Sequence, residues 1–186
     1  MTKIRGKKVL SDKPMVMDAD FLAKNGNGKI KLKKGEHLKI IGGITLDKIV
    51  VNNGAILEGD GVIAHRVKAK KHSNIFIKEA DKIKSCSGSE VHVEHFNDIA
   101  KIRNGTVFED STQLTREDAT KWSGEILPAA TKTLTTIGVG TATYFATKDF
   151  DNLNSKLYVG AGAGIGVLFI NSKINKFFDK HYDVKK

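Results

Sequence analysis

Short apolar runs of alternating pattern recur along the first two thirds of the chain, broken by glycine, asparagine and lysine. Ile75-Phe-Ile-Lys-Glu79 is followed by Val91-His-Val-Glu-His95 and then by Val107-Phe-Glu-Asp110, sixteen residues apart each time. A second series keeps step: Val67, Ile83, Ile99. Extended upstream, the first column reads Ile30, Ile49, Val67, Ile83, Ile99, with steps of 19, 18, 16 and 16. The second reads Leu38, Ile56, Ile75, Val91, Val107, and a third reads Ile44, Val62, Ala80, Phe96. Strand side chains alternate between two faces, so each run buries every second residue. Three columns in step predict three short strands per repeat, with turns at Asn52-Asn-Gly54, Gly59-Asp-Gly61 and Asn104-Gly105. One such repeat cannot bury its own apolar face; stacked repeats can. Ordinary β-hairpins at the Asn-Gly pairs are the rival arrangement.

These features predict a mainly β chain: a triangular β-solenoid of about five coils, then a C-terminal α-helical, glycine-rich hairpin. The expected divisions are a basic cap at 1–29, the solenoid at 30–110, a linker helix at 111–126, the apolar hairpin at 127–175 and a basic tail at 176–186. Thr115 and Asp118 form a capping-box pair that predicts a helix start, with a short helix to about Ile126.

The stretch Gly54-Ala-Ile-Leu-Glu-Gly-Asp-Gly-Val-Ile-Ala-His-Arg-Val-Lys-Ala69 resembles a coil of the bactofilins. The resemblance covers about residues 30–110. It implies a short bacterial β-helix that assembles end to end on membranes without nucleotide. Bactofilins usually reach the membrane through an N-terminal segment; here the apolar segment is C-terminal.

The hairpin region combines two small-residue runs, 129–146 and 157–170, around the polar turn 149–155. Gly160, Gly162, Gly164 and Gly166 give two overlapping Gly-x-x-x-Gly spacings, which allow close helix approach in lipid. Trp122 is placed for a membrane interface, and Lys121, Lys173, Lys176 and Lys180 flank the runs. A membrane helical hairpin is the first expectation. A soluble helical hairpin and a β-hairpin, with Ile137, Val139, Thr141, Thr143 and Phe145 on one face, are the others.

Charge adds direction. The chain carries a net +10, and residues 1–50 hold 12 Lys and Arg against 5 Asp and Glu. The run Lys29, Lys31, Lys33, Lys34 reads as a basic strand face. Few aromatics accompany it to stack bases, so nucleic acid is not the expected partner. The basic start, Met1 to Lys8, has no apolar run behind it and predicts no secretory signal. The expected location is the cytoplasmic face of a membrane, with delivery to a host membrane as the alternative.

Candidate chemistry is sparse. The coil spacing puts Phe76, His92 and Phe108 in one outward column, an aromatic interaction face expected to pack on the C-terminal helices or a partner. Glu90, His92 and Glu94 alternate outward beside His95, but residues three apart on a strand face opposite sides, so no metal site is expected. Cys86, the single cysteine, reads as packed or half-buried. No phosphate-cradling glycine motif, catalytic triad or hexapeptide repeat with a catalytic histidine is present. The sequence therefore points to a non-enzymatic scaffold or protein-interaction module without cofactor, with a protein partner or self-association.

Overall fold

A computed structural model describes residues 14–186, which fall into two units: 14–119 with 180–186, and 120–179. The first is a β-solenoid. Its first coil runs through β1 (Met15–Asp18), α1 (Ala19–Asn25) and β2 (Lys29–Leu32). The second runs through β3 (His37–Ile41), β4 (Ile44–Leu46) and β5 (Lys48–Val51). From the third coil on, each turn is one long bent strand: β6 (Ile56–Ala69), β7 (Asn74–Cys86) and β8 (Glu90–Arg103). β9 (Thr106–Glu109) and β10 (Thr112–Gln113) begin a sixth turn that is not completed.

Neighbouring coils pair in parallel, in three lanes. The first lane stacks β1, β3, the start of β6, β7 and β8, and then β9. The second stacks β4 on the middles of β6, β7 and β8. The third stacks β2, β5 and the ends of β6, β7 and β8. The hairpin alternative is excluded, because hairpins pair antiparallel.

The inward columns correct the sequence reading in three places. In the first lane Leu57, not Ile56, pairs with Leu38 and Ile75, giving the buried column Leu38, Leu57, Ile75, Val91, Val107. In the third lane Ala100, not Ile99, stacks on Ile83; Ile99 pairs with Lys82 and is only half-buried. The middle column is Leu46, Ala64, Ala80, Phe96, with Ile44 and Val62 forming a separate pair. The physical reason is the same for the last two. Register shifts at the bends, between Gly59 and Ile63 and between Ala80 and Lys82, change the residue count around a corner. The corner at Gly61 requires glycine, since a Cβ there would stand 2.8 Å from the Gly42 carbonyl oxygen of the coil below.

Each buried Ile, Leu or Val contributes about 1.5–3 kcal/mol. Ile49, Leu57, Ile75, Ile83, Val91 and Val107 are all essentially solvent-free. The core's few polar groups are satisfied: buried Ser85 donates to the carbonyl of Ser89 or Thr106, each at 3.1 Å.

In the first coil α1 takes the place of a second-lane strand and buries Ala19 and Leu22 in the core, while β1 and β2 pair, among the described residues, only with the coil that follows. At the far end, β10 folds back antiparallel on β9. The final strand, β11 (His181–Lys185), pairs antiparallel with the end of β8, placing Tyr182 over Ile102 and Val184 over Ala100. Tyr182 also donates its hydroxyl to the Leu114 carbonyl at 2.6 Å. The segment read as a basic tail at 176–186 is thus the end of a helix followed by a solenoid strand. Of the N-terminal cap, only residues 14–29 lie within the described part.

The second unit is helical: α2 (Leu127–Thr147) and α3 (Leu153–Lys180). The β-hairpin alternative is therefore replaced by helices. The expected single helix from Thr115 to Ile126 is broken. The Thr115–Asp118 box closes, with the Thr115 amide donating to Asp118 Oδ2 at 2.7 Å. It caps only a 3-10 turn, Arg116–Asp118, because Ala119 is extended at φ −68°, ψ 154°. A π-helical turn, Trp122–Ile126, then leads into α2, with Pro128 in the first turn of α2.

Candidate functional site

The first-lane register brings Phe76, His92 and Phe108 into one outward column. Their rings stack face to face, 4.6 Å apart at 15° for Phe76–His92 and 4.5 Å at 7° for His92–Phe108. Strand spacing of about 4.8 Å imposes this stack. Two phenyl rings alone would avoid such a sandwich, whereas an imidazole between them is attracted to both π faces when protonated. Glu90 Oε2 lies 3.6 Å from His92 Nε2. Phe76 keeps 37 % of its surface exposed. Beside the ladder is an open depression of about 300 Å³, edged by Asp60, Glu94 and Asp110. Aromatic edges rimmed by carboxylates suit an apolar contact with basic groups at its border, the carboxylates and not the ring faces supplying the charge.

The third lane is the opposite. Its outward positions form two columns. One carries Lys29, Lys48, Arg66 and Lys82; the other carries Lys31, Val50, Lys68, Lys84 and Lys101. Among the described residues, only Lys82 of these cations makes an ion pair, 3.1 Å from Asp98. Lys33 and Lys34, expected on the same strand face, lie in the turn after β2, where the Lys33 amide donates to Glu36 at 2.6 Å. Sequence reading found the start of this face and missed Lys48, Arg66, Lys68, Lys82, Lys84 and Lys101. The signal was present: 31, 50, 68, 84, 101 advance by 19, 18, 16 and 17, in near step with the apolar columns.

Histidines and acids pair along the corners. His37 lies 2.9 Å from Glu58, and His95 lies 2.9 Å from Glu109, which Lys186 also contacts. His65 lies 2.6 Å from Asp81, to which the Asn97 amide donates at 3.0 Å. The Asn97 and His65 hydrogen bonds hold the Asp81 carboxyl below its ordinary value. Burial, with Asp118 nearby, pushes the Tyr182 phenol above its own. No three His, Cys, Asp or Glu side chains converge as metal ligands among the described residues. Cys86 is half-buried and unpaired by disulfide.

In the helical unit α3 is long and apolar enough to cross a membrane, with mean hydropathy 1.4 over its best 18-residue window and none of that window buried. Leu157, Tyr158, Ile165, Leu168 and Phe169 are all exposed. Gly160, Gly162, Gly164 and Gly166 have no atom within 4 Å of where a Cβ would stand, so none of the described residues packs on that stripe. Trp122 is also exposed. In α2 the hydroxyls of Thr131, Thr133, Thr135, Thr136, Thr143 and Thr147 each donate to the carbonyl four residues back, at 2.8–3.0 Å.

Fold and faces together define a capped β-solenoid joined to an apolar helical unit. The likeness to bactofilins stands at the level of the β-helix and goes no further: compared with known proteins, the chain matches no family model, no curated sequence and no solved structure.

Proposed function

We propose that this chain is a non-enzymatic, membrane-associated binding module, in which the helical unit enters the bilayer and the solenoid presents its faces to a protein partner. One observation carries the reading: α3 holds an apolar window of 18 residues with none of it buried. As helix, that 18-residue window is about 27 Å long, close to a hydrocarbon core of about 30 Å. Leaving such a surface in water is costly, and lipid removes the cost. The threonines of α2 support the same solvent. Six of their seven hydroxyls are satisfied within the helix, as an apolar medium favours. On the solenoid, the exposed edge of the Phe76–His92–Phe108 ladder is the surface we assign to the protein partner.

The caps bear on assembly. A parallel solenoid extends by adding parallel strands, and β10 and β11 are antiparallel, so another coil cannot continue their register. We therefore read the chain as an adaptor and not as a filament subunit. The cytoplasmic side is the location that goes with this reading.

Flotation of the full chain with phosphatidylcholine vesicles tests the proposal. Wild type is expected in the floating fraction, and a Leu168→Asp, Ile165→Asp double variant in the pellet or soluble fraction. Wild type that stays soluble and monomeric without lipid or detergent would end the membrane reading. Truncation before the helices is the wrong control, because it also removes β11 from the solenoid.

A further inference from the structure

The third-lane face has a physical oddity. Lys68, Lys84 and Lys101 stand directly opposite one another on consecutive strands, about 4.8 Å apart, and one column away Lys29 faces Lys48 and Arg66 faces Lys82. Like charges placed directly across a strand pair are destabilising. Within the same solenoid Glu58, Asp60, Glu79, Asp81, Glu90 and Glu94 belong to the first two lanes and their corners, and fewer acids border this face: Asp47 beside Lys48, Asp98 at Lys82 and Asp183 opposite Lys101. The arrangement thus opposes folding and is not relieved by ion pairs within the described residues, except at Lys82.

We infer that this face is an electrostatic docking surface for an anionic phospholipid bilayer, a second contact that acts with the apolar helix; the inference rests on the membrane reading above. Four observations select lipid. The face is a row of strand surfaces, and its cations are mostly lysine, which acts as a point charge and not as the planar fork suited to bidentate phosphate recognition. No aromatic side chain stands in either column, so bases would find nothing to stack on. The trough between the columns, about 200 Å³, is floored by Ile99 and the aliphatic stems of Lys48, Lys68, Lys84 and Lys101. An apolar floor with cations along its edges suits an amphiphilic surface. Finally, β11, the strand next to this face, follows α3 directly in the chain, so the two contacts are covalently adjacent.

A single apolar anchor and a basic patch reinforce one another on anionic membranes. Each lysine near such a surface is worth roughly fivefold in affinity. The triple variant Lys68→Gln, Lys84→Gln, Lys101→Gln should therefore lose on the order of a hundredfold in affinity for vesicles containing phosphatidylserine. Its binding to pure phosphatidylcholine should equal that of wild type, and the difference on phosphatidylserine should close at high salt. The variant's unfolding midpoint at low salt should equal or exceed that of wild type, because like charges have been removed. The matching Lys→Arg triple variant should keep wild-type affinity for the anionic vesicles.

Equal affinity of wild type and the Gln variant for phosphatidylserine vesicles would overturn the inference. So would single-stranded RNA bound through the same lysines while phosphatidylserine adds nothing, a result that assigns the face to nucleic acid. Failure of wild type to float with neutral vesicles, alongside lysine-dependent binding to anionic ones, would remove the helical anchor and leave the face as the membrane contact.

Discussion

The solenoid and the helical unit use the same kinds of residue to opposite ends. In the solenoid Ile, Leu and Val vanish into columns, and glycine works at corners such as Gly61, where backbone lies 2.8 Å from a would-be Cβ. In α3, Leu157, Ile165 and Leu168 face outward, and four glycines border open space. The difference is the solvent each surface is matched to. A β-coil buries its apolar face on the next coil, whereas the apolar window of α3 is left unburied by the described residues. The comparison teaches that apolar content says little until the neighbour is known.

The comparison breaks most sharply at Val91, solvent-free between Ile75 and Val107. Val91→Asp puts a charge in the stack and should cost more than about 4 kcal/mol, read as loss of the cooperative urea transition. The equivalent change in the helix, Leu168→Asp, should leave that transition of the solenoid unmoved. Its effect should appear in vesicle partitioning instead, weakened by about 2.5–3.5 kcal/mol if the residue sits near the bilayer centre.

A smaller effect is expected at the closing strand. Tyr182→Phe leaves the Leu114 carbonyl without its donor and should cost about 1–2 kcal/mol. It should also alter the alkaline limb of stability. Burial holds the Tyr182 phenol above its ordinary value, so the unfolded state loses its proton first as pH rises past about 10. Wild-type stability should fall with pH there, and the Phe variant's should fall less. The smallest effect belongs to Asp81. Its carboxyl is held below its ordinary value by Asn97 and His65, so its contribution is present above about pH 4 and is lost as pH falls through the folded value. Asp81→Asn should flatten the acid limb slightly, since the group is partly exposed and screened.

Much of the solenoid was legible because its period is written in side chains that must be buried. Leu38, Ile75, Val91 and Val107 keep their steps in sequence and in structure, and Phe76, His92 and Phe108 follow from the same count. The error at Ile99 came from a bend, where a register shift changes the residue count. At Ile56 the register is continuous, and the neighbouring apolar pair Ile56-Leu57 gives no sign of which residue turns inward. The break between Thr115 and Ile126 was equally invisible, because a capping box marks where a helix starts and not how far it runs.

The repeat and the aromatic column can be read from local spacing and burial alone, as can the apolar character of the C-terminal segment. That β11 returns to close the third lane is a long-range fact, a pairing across about eighty residues that no local pattern encodes. So is the sorting of charge. Residues 51–100 carry 7 Lys and Arg against 7 Asp and Glu and look neutral along the chain. Winding that segment around three lanes separates the signs, because a residue's lane depends on its place within the coil, and charge then accumulates along the stacking axis.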